Sequence, residues 1–252
     1  MMQAAVFAAA SHTGLVRGNN EDEYLFYRSP DKEFLMLIIA DGMGGHRCGE
    51  DASKIAVQQC GRLIEERFRP GLKDREILEL LEDACETANV HVELESRSSP
   101  QKTGMGTTLT AGLIIGHKLY IGHVGDTRAY ILRQGRLMQL TRDHTYVQTL
   151  VDRGDISREE AAVHPQRSVL IKALGVPEKL DPDLKIYELR PQDKVLFCTD
   201  GLYDVISPAE IKEILTAAPD VNRAAADFID LTLRRGAPDN VTVIIGFLNG
   251  GF

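Results

Sequence analysis

Residues Leu35–Glu50 read LMLIIADGMGGHRCGE, and this stretch indicates more about the fold and the chemistry than any other. It opens with six apolar residues, and a short apolar run ended by a turn signal predicts a buried strand. Asp41 follows, and three of the next four positions are glycine. A buried carboxylate is costly unless a positive charge is paired with it. A bound cation would supply that charge, and the glycines would let backbone carbonyls approach the same ion. The alternative is a turn in which Asp41 caps a helix starting near Gly49, and this stretch alone leaves both interpretations open.

The chain repeats this arrangement at other apolar runs. One such Asp is a common turn residue, but turns accept Asn, Ser or Gly equally well, so turn chemistry does not explain the repetition. If the strands lie side by side, the acids meet at one edge and repel one another, and bound cations would remove the conflict. The residues are Asp126 shortly after LYIGHV, Asp200 after KVLFCT, Asp239 before VTVIIGF, and Glu21 with Asp22 beside YLFY.

The donor set indicates which ion would bind. Carboxylates and carbonyls favour Mg²⁺ or Mn²⁺ over zinc, and the seven histidines show no HxH or HExxH spacing. Two such ions about 4 Å apart can activate a water and hold a phosphoryl oxygen. Arg17, just upstream of Glu21, could bind phosphate through its bidentate guanidinium, although an isolated Arg is more often an ordinary surface residue.

Hydrophobic periodicity predicts an α+β protein. Short Gly-containing turns between strand-like runs imply antiparallel hairpins. Because strands and helices each come in series, we expect a layered arrangement and not an alternating βαβ fold. The predicted strands lie at 6–12, 24–28, 35–40, 107–115, 118–124, 128–133, 136–141, 184–189, 194–198 and 241–247, and the predicted helices at 52–68, 73–95, after Ser207 and at 221–234.

The segment from 145 to about 180 interrupts the strand series. Its pattern is helical and polar, with a capping box at Ser157 and Glu160 and a stop at His164-Pro165. We therefore predict a small helical flap inserted into a single domain that covers residues 1–252.

Composition narrows the classes of protein to consider. The chain has 252 residues with a net charge of −8, which argues against nucleic-acid or anionic-membrane partners, because those need basic surfaces. No segment approaches the ~18 apolar residues of a membrane helix. The four cysteines are scattered without a CxxC, which is typical of reduced thiols. We expect a cytoplasmic protein and, by default, a monomer.

Six short motifs in a fixed order resemble those of the metal-dependent serine/threonine protein phosphatases, type 2C or PPM. Each is weak alone, but together they cover nearly the whole chain. The DGMGGH form and the segment HPQR…ALG at 164–175 are similar to the bacterial branch. The motifs are Arg17-x-x-x-Glu21-Asp22, Asp41-Gly42-Met43-Gly44-Gly45-His46, Gly106-Thr107-Thr108, Gly125-Asp126-Thr127-Arg128, Asp200-Gly201-Leu202-x-Asp204 and Asp239-Asn240-x-Thr242.

The resemblance implies a four-layer αββα sandwich, with two central antiparallel sheets flanked by helices on both sides and a metal site at one end. It implies two tightly bound Mn²⁺ or Mg²⁺ ions and a weaker third, with attack by a metal-bound water or hydroxide and no phosphoenzyme. The implied roles are as follows: Asp41 bridges the two ions and the Gly42 carbonyl binds one; Asp200 and Asp239 complete the other; Asp126 with Asp200 holds the third; Glu21 and Asp22 order metal-bound waters; Arg17 holds the substrate phosphate.

The implied activity is hydrolysis of phosphoserine and phosphothreonine in proteins, opposing a bacterial Ser/Thr kinase. Met43 stands where many relatives outside the bacterial branch carry a His proposed as general acid, and the position of the nearby His46 is undetermined from sequence. Thr127 replaces a common Ser and keeps the hydroxyl. Two alternatives are a regulatory domain that has lost turnover and a partner-switching phosphatase for an anti-sigma antagonist.

Overall fold

A computed structural model describes residues 5–30, 33–44 and 47–248 of the chain. Two antiparallel sheets form its centre. The first sheet has the order β2-β3-β5-β6-β9, with the short β4 paired to β3. Its strands are β2 (Asp22–Arg28), β3 (Phe34–Met43), β4 (Gly106–Thr107), β5 (Leu109–Ile115), β6 (Lys118–Val124) and β9 (Asp183–Glu188).

The second sheet has the order β1-β11-β10-β7-β8 and joins the two ends of the described chain, because β1 pairs with β11 along its whole length. Its strands are β1 (Ala5–His12), β7 (Arg128–Arg133), β8 (Arg136–Gln139), β10 (Lys194–Cys198) and β11 (Val241–Leu248).

Helices cover the outer face of each sheet. Helices α1 (Arg47–Arg67) and α2 (Asp74–Ser96) pack on the first sheet, and α6 (Pro208–Ala217) and α7 (Val221–Arg234) pack on the second. The result is the predicted α+β sandwich of four layers.

The period-2 geometry of a strand explains the unbroken apolar run of β3. Phe34, Met36 and Ile38 face α1 and α2, whereas Leu35, Leu37 and Ile39 face the other sheet, so every position is buried. The same alternation determines where the first acid of the candidate site points. By parity, Asp41 continues the row that lies between the two sheets, at the end of the sandwich.

The segment predicted as a flap contains two short helices, α3 (Tyr146–Arg153) and α4 (Arg158–Ala162). Thr145 and Ser157 cap them, and Ser157 forms the expected capping box with Glu160. The chain then returns to the sandwich, where the backbones of Leu174 and Thr107 exchange two hydrogen bonds. No helix within the described ranges is long and apolar enough to cross a bilayer.

Three local predictions differ from the structure. The strand β3 continues through Asp41 to Met43, because β4 pairs with Gly42 and Met43. The predicted strand at 107–115 is broken into β4 and β5 at Thr108. Asp200 starts a short helix, α5 (Asp200–Tyr203), which the apolar pattern did not indicate because it has a single turn.

Candidate active site

Two of the predicted acids form a cross-strand pair. Asp22 lies opposite Asp41 in the register of β2 and β3. The backbone of Asp41 is fixed by two threonines that follow each other in the chain: Asp41 N donates to Thr108 Oγ1 at 2.8 Å, and Thr107 Oγ1 donates to Asp41 O at 2.8 Å. Helix α1 starts six residues after Asp41, so the interpretation of Asp41 as a helix cap is wrong.

Gly42 is required by the packing at this point. A Cβ there would lie 2.0 Å from the carbonyl oxygen of Gly49 and 2.7 Å from that of Glu21. The chain of α1 and the loop before β2 therefore approach closer than any side chain would permit. Gly42 N donates to Glu21 O at 3.0 Å, which ties the two acidic motifs together.

The acids of the second sheet come from two neighbouring interior strands. Asp200 follows β10 and Asp239 precedes β11, and a Cβ on Gly201 would lie 1.9 Å from the Asn240 carbonyl oxygen. In addition to burial, the charges of Asp200 and Asp239 both raise the pKa of Asp41, so these acids lie close together across the gap between the sheets. One rim therefore carries acids from both sheets.

Two polar side chains, those of Thr199 and Asn240, join the sheets beneath this rim. Thr199 Oγ1 donates to Asp22 Oδ2 at 2.8 Å and accepts from Thr242 N at 3.0 Å. Glu21 N donates to Asn240 Oδ1 at 2.8 Å. Asn240 and Thr242 stand in the motif that starts at Asp239, and Thr199 immediately precedes the motif that starts at Asp200, so their position beside these acids was the available signal.

Asp126, the remaining predicted metal ligand, lies in the turn after β6. It is 7% exposed, and its backbone carbonyl accepts a hydrogen bond of 2.9 Å from Tyr203 Oη. The Tyr203 ring lies 3.5 Å from the guanidinium carbon of Arg128, which is held in turn by Asp143. This packing fixes the Asp126 turn against α5, and so against Asp200.

Electrostatic repulsion at the rim is strong. Burial, followed by the Asp22 and Asp200 charges, holds the pKa of Asp41 well above its ordinary value. Burial also raises the pKa of Asp22 to about 7 and, together with the Asp239 charge, that of Asp200 to about 6. The pKa of Asp126 is raised well above its usual range by burial and then by Asp200. Ionised carboxylates at this rim therefore favour a bound cation.

The predicted phosphate ligand is also placed at the rim. Arg17 Nη2 donates to Asp239 Oδ2 at 2.6 Å, and the two side chains are 53% and 33% exposed. Exposed Leu15 and Val16 precede Arg17. The guanidinium is thus held beside the acids and open to solvent, where a phosphate could reach it.

The donors fit a hard divalent cation. Oxygen ligands are those that Mn²⁺ and Mg²⁺ prefer. Asp22 Oδ1 is buried and, within the described ranges, has no hydrogen-bond partner. As they lie, no three His, Cys, Asp or Glu side chains of the described segments are already placed to hold an ion.

The remaining sequence expectations concern the glycine-rich loop. Met43 is 37% exposed beside the rim. Gly45 and His46 lie outside the described residues, so the motif is traced only as far as Gly44. The predicted metal ligands, Asp22 and Arg17 are all brought to one end of the sandwich, and Glu21 joins them through its backbone.

Comparison with known proteins identifies the family. A family profile described as Protein phosphatase 2C matches residues 11–241, so the chain belongs to the protein phosphatase 2C family. The resemblance stated from the motifs is confirmed.

Individual relatives agree with this placement. The chain is 44% identical over 240 residues to the serine/threonine protein phosphatase PstP of Mycobacterium tuberculosis, covering 95% of this chain and 44% of that protein. It is 36% identical over 235 residues to the serine/threonine phosphatase stp of Listeria innocua, covering 92% and 91%. A crystal structure of the PstP catalytic domain with two manganese ions matches with a TM-score of 0.85, 40% identity and coverage of 98% and 99%. The chain spans less than half the length of the mycobacterial relative.

Proposed function

We propose that this protein is a Mn²⁺- or Mg²⁺-dependent phosphatase that hydrolyses phosphoserine and phosphothreonine in proteins. The observation that carries the proposal is the rim itself, where Asp41, Asp126, Asp200 and Asp239 meet beside the guanidinium of Arg17. The names of the relatives and the two manganese ions in the PstP catalytic domain support it.

The acids have distinct proposed roles. Asp41 and the Gly42 carbonyl, with Asp200 and Asp239, would hold two ions, and Asp126 with Asp200 would hold a weaker third. Bound there, two ions would supply positive charge for phosphoryl oxygens and lower the pKa of a coordinated water. The positions of these groups support the proposed roles, because they come from four different strand ends and lie at one rim.

Other residues would position substrate and water. Arg17 would bind the phosphate in a bidentate fork once Asp239 turns away from it. Asp22, fixed by Thr199 at 2.8 Å, presents a buried Oδ1 that can accept a hydrogen bond from a water at the rim. Glu21 would assist in ordering water at the mouth of the site.

The proposal extends to cellular context. A phosphatase for phosphoserine and phosphothreonine requires a kinase that makes these marks, so we propose a cognate Ser/Thr kinase and a role in signal transduction. Cys60, Cys85 and Cys198 are buried free thiols, which supports a reducing, cytoplasmic location. We also retain the proposals of one domain over residues 1–252, with its flap at about 145–180, and of a monomer.

The rival functions differ in turnover and substrate. A regulatory domain without turnover is disfavoured because the acids at the rim and Arg17 are all present and placed together. A phosphatase for an anti-sigma antagonist shares the chemistry, and a panel of phosphopeptides and phosphoproteins separates it from a general protein phosphatase.

The test of the proposed function is hydrolysis of a phosphothreonine peptide by the full chain. We expect phosphate release with Mn²⁺, none in excess EDTA, and recovery when Mn²⁺ is restored. Asp200→Asn with Mn²⁺ should also be inactive. Activity that survives EDTA would contradict a metal-dependent mechanism, and a folded, Mn²⁺-binding protein inactive on every phosphopeptide would favour the regulatory alternative.

Replacement of Arg17 tests its role in binding. We expect Arg17→Ala to raise KM by about tenfold to a hundredfold with a smaller change in kcat, because a charge-assisted hydrogen bond to the substrate is worth about 1.5–3 kcal/mol. Arg17→Lys should lie between, since an ammonium supplies one point charge and no fork. Steady-state kinetics measure both constants, and a loss confined to kcat would instead place Arg17 in transition-state stabilisation.

A further inference from the structure

A cleft beside the acidic rim has no role in the chemistry above. It has a volume of about 340 Å³ and lies between the flap helices α3 and α4 on one side and the starts of α5 and α6 on the other. Asp126 and Asp200 are among its lining residues, so it is continuous with the proposed metal site. A substrate bound at the rim therefore has this cleft immediately next to it.

Most of the charged side chains that line the cleft are paired with one another. Arg128 Nη2 donates to Asp143 Oδ2 at 2.6 Å, and Arg167 Nε lies 3.5 Å from Asp204 Oδ2. Arg158, at the start of α4, also lines the cleft. No hydrogen bond or ion pair joins Arg158 to another side chain in the described part of the protein, and it is exposed. Arg158 is thus a free cation beside the site.

Part of the remaining lining is apolar and suits the stem of a side chain. Val147, Val151, Ala161 and Pro208 supply apolar surface. A cleft of this volume is about 9 Å across, which is the span of two to three extended residues. A peptide whose phosphorylated residue lies at the rim can therefore place a neighbouring side chain here, with its end near Arg158.

We propose that this cleft is a subsite for an acidic group on the substrate protein, and that Arg158 recognises it. The group is an Asp or Glu carboxylate, or a second phosphate, within about three residues of the phosphoserine or phosphothreonine that is hydrolysed. This inference rests on the proposed function and specifies the substrate class of the same site.

The test uses the full chain with saturating Mn²⁺ and a set of phosphothreonine peptides. Each peptide carries Gln, Glu or phosphoserine at one of the three positions on either side of the phosphothreonine. Mass spectrometry reports loss of phosphate from the threonine. At one position or more, we expect kcat/KM to be about three to ten times higher with Glu than with Gln, mainly through KM, and this ratio should fall as salt rises.

Variants assign the preference to its residue. Arg158→Gln should abolish the Glu-to-Gln ratio, Arg158→Lys should retain part of it, and Arg158→Glu should reverse it. Arg153→Gln is the matched control, because Arg153 is an exposed arginine at the end of α3 that does not line the cleft. It should keep the wild-type ratio. If phosphoserine raises kcat/KM more than Glu does, the natural group is a second phosphate. If the two raise it equally, the subsite accepts any anionic group.

Failure of the subsite proposal and failure of the proposed function give different results. Hydrolysis of the peptides without a Glu preference at any position overturns the subsite alone. A preference that survives Arg158→Gln assigns it to other residues and also overturns the proposal. If the wild-type protein with Mn²⁺ hydrolyses none of the peptides, the proposed function fails, and the subsite fails with it.

Discussion

Asp239→Asn is expected to lower kcat by about a thousandfold or more at saturating Mn²⁺ while leaving the fold intact. The substitution removes the charge that would hold an ion and position the transition state, and the loss of one such electrostatic group costs about 10²–10³ in rate even where no metal is involved. It also frees Arg17 from its 2.6 Å ion pair. Steady-state kinetics on the phosphothreonine peptide measure the loss.

The effect of this change on stability should be small, which makes the substitution informative. The Asp239 side chain is 33% exposed, and an exposed ion pair contributes about 0–1 kcal/mol. Asn keeps the Oδ1 that accepts from the backbone N of Asn240 at 2.8 Å. Thermal unfolding in EDTA should therefore shift by only a few degrees. Asp155→Asn, at an exposed position in the flap, is the control. Near wild-type turnover by Asp239→Asn would remove Asp239 from the site.

The convergence of the acids at one end of the sandwich could be predicted from sequence because strand geometry constrains it. Along β3, alternate residues face opposite sides, so Asp41 had to emerge at one end of a doubly buried strand. An ionised group in that position needs a partner, and the repetition of the pattern at Asp126, Asp200 and Asp239 indicated a shared one. The pairing of Asp22 with Asp41 followed from neither argument, since register depends on which strands adjoin.

What the sequence did not indicate depends on contacts between distant segments. Thr199 is an ordinary polar residue in the chain, and its role appears only when the two sheets bring it within 2.8 Å of Asp22. The cleft beside Arg158 likewise requires the flap to pack beside α5 and α6. Periodicity reports which face of an element is buried, but not against what, so cross-sheet hydrogen bonds and clefts need the fold itself.

Asp41→Asn is expected to abolish activity and, in metal-free solution at neutral pH, to raise stability. Burial and neighbouring acids hold the pKa of Asp41 well above its ordinary value, so the ionised carboxylate destabilises the folded state without a cation. Removal of this charge should therefore raise the melting temperature of the protein in EDTA at pH 8.

The direction of the pKa shifts determines how the stability of the metal-free protein changes with pH. Asp22, with a pKa of about 7, and Asp200, with a pKa of about 6, bind protons more tightly in the folded state than in the unfolded one, where an Asp titrates near 3.9. The metal-free wild-type protein should therefore lose stability as pH rises from about 4 to about 7, and Asp41→Asn should lose less. Below pH 4 the two proteins should converge.

Cation binding should reverse which of the two proteins, wild type or Asp41→Asn, is the more stable. Mn²⁺ should raise the melting temperature of the wild-type protein at pH 8, because a ligand that binds only the folded state stabilises it, and should raise that of Asp41→Asn much less. Asp193→Asn is the opposite control: Asp193 is 1% exposed and paired with Arg133 at 2.7 Å, so its loss should destabilise the protein with or without Mn²⁺. If Asp41→Asn instead lowered stability in EDTA and kept the full Mn²⁺ shift, Asp41 would be a structural acid and the ions would bind elsewhere. A gain in metal-free stability with loss of the Mn²⁺ shift would show that the protein gives up stability at this rim in order to bind cations.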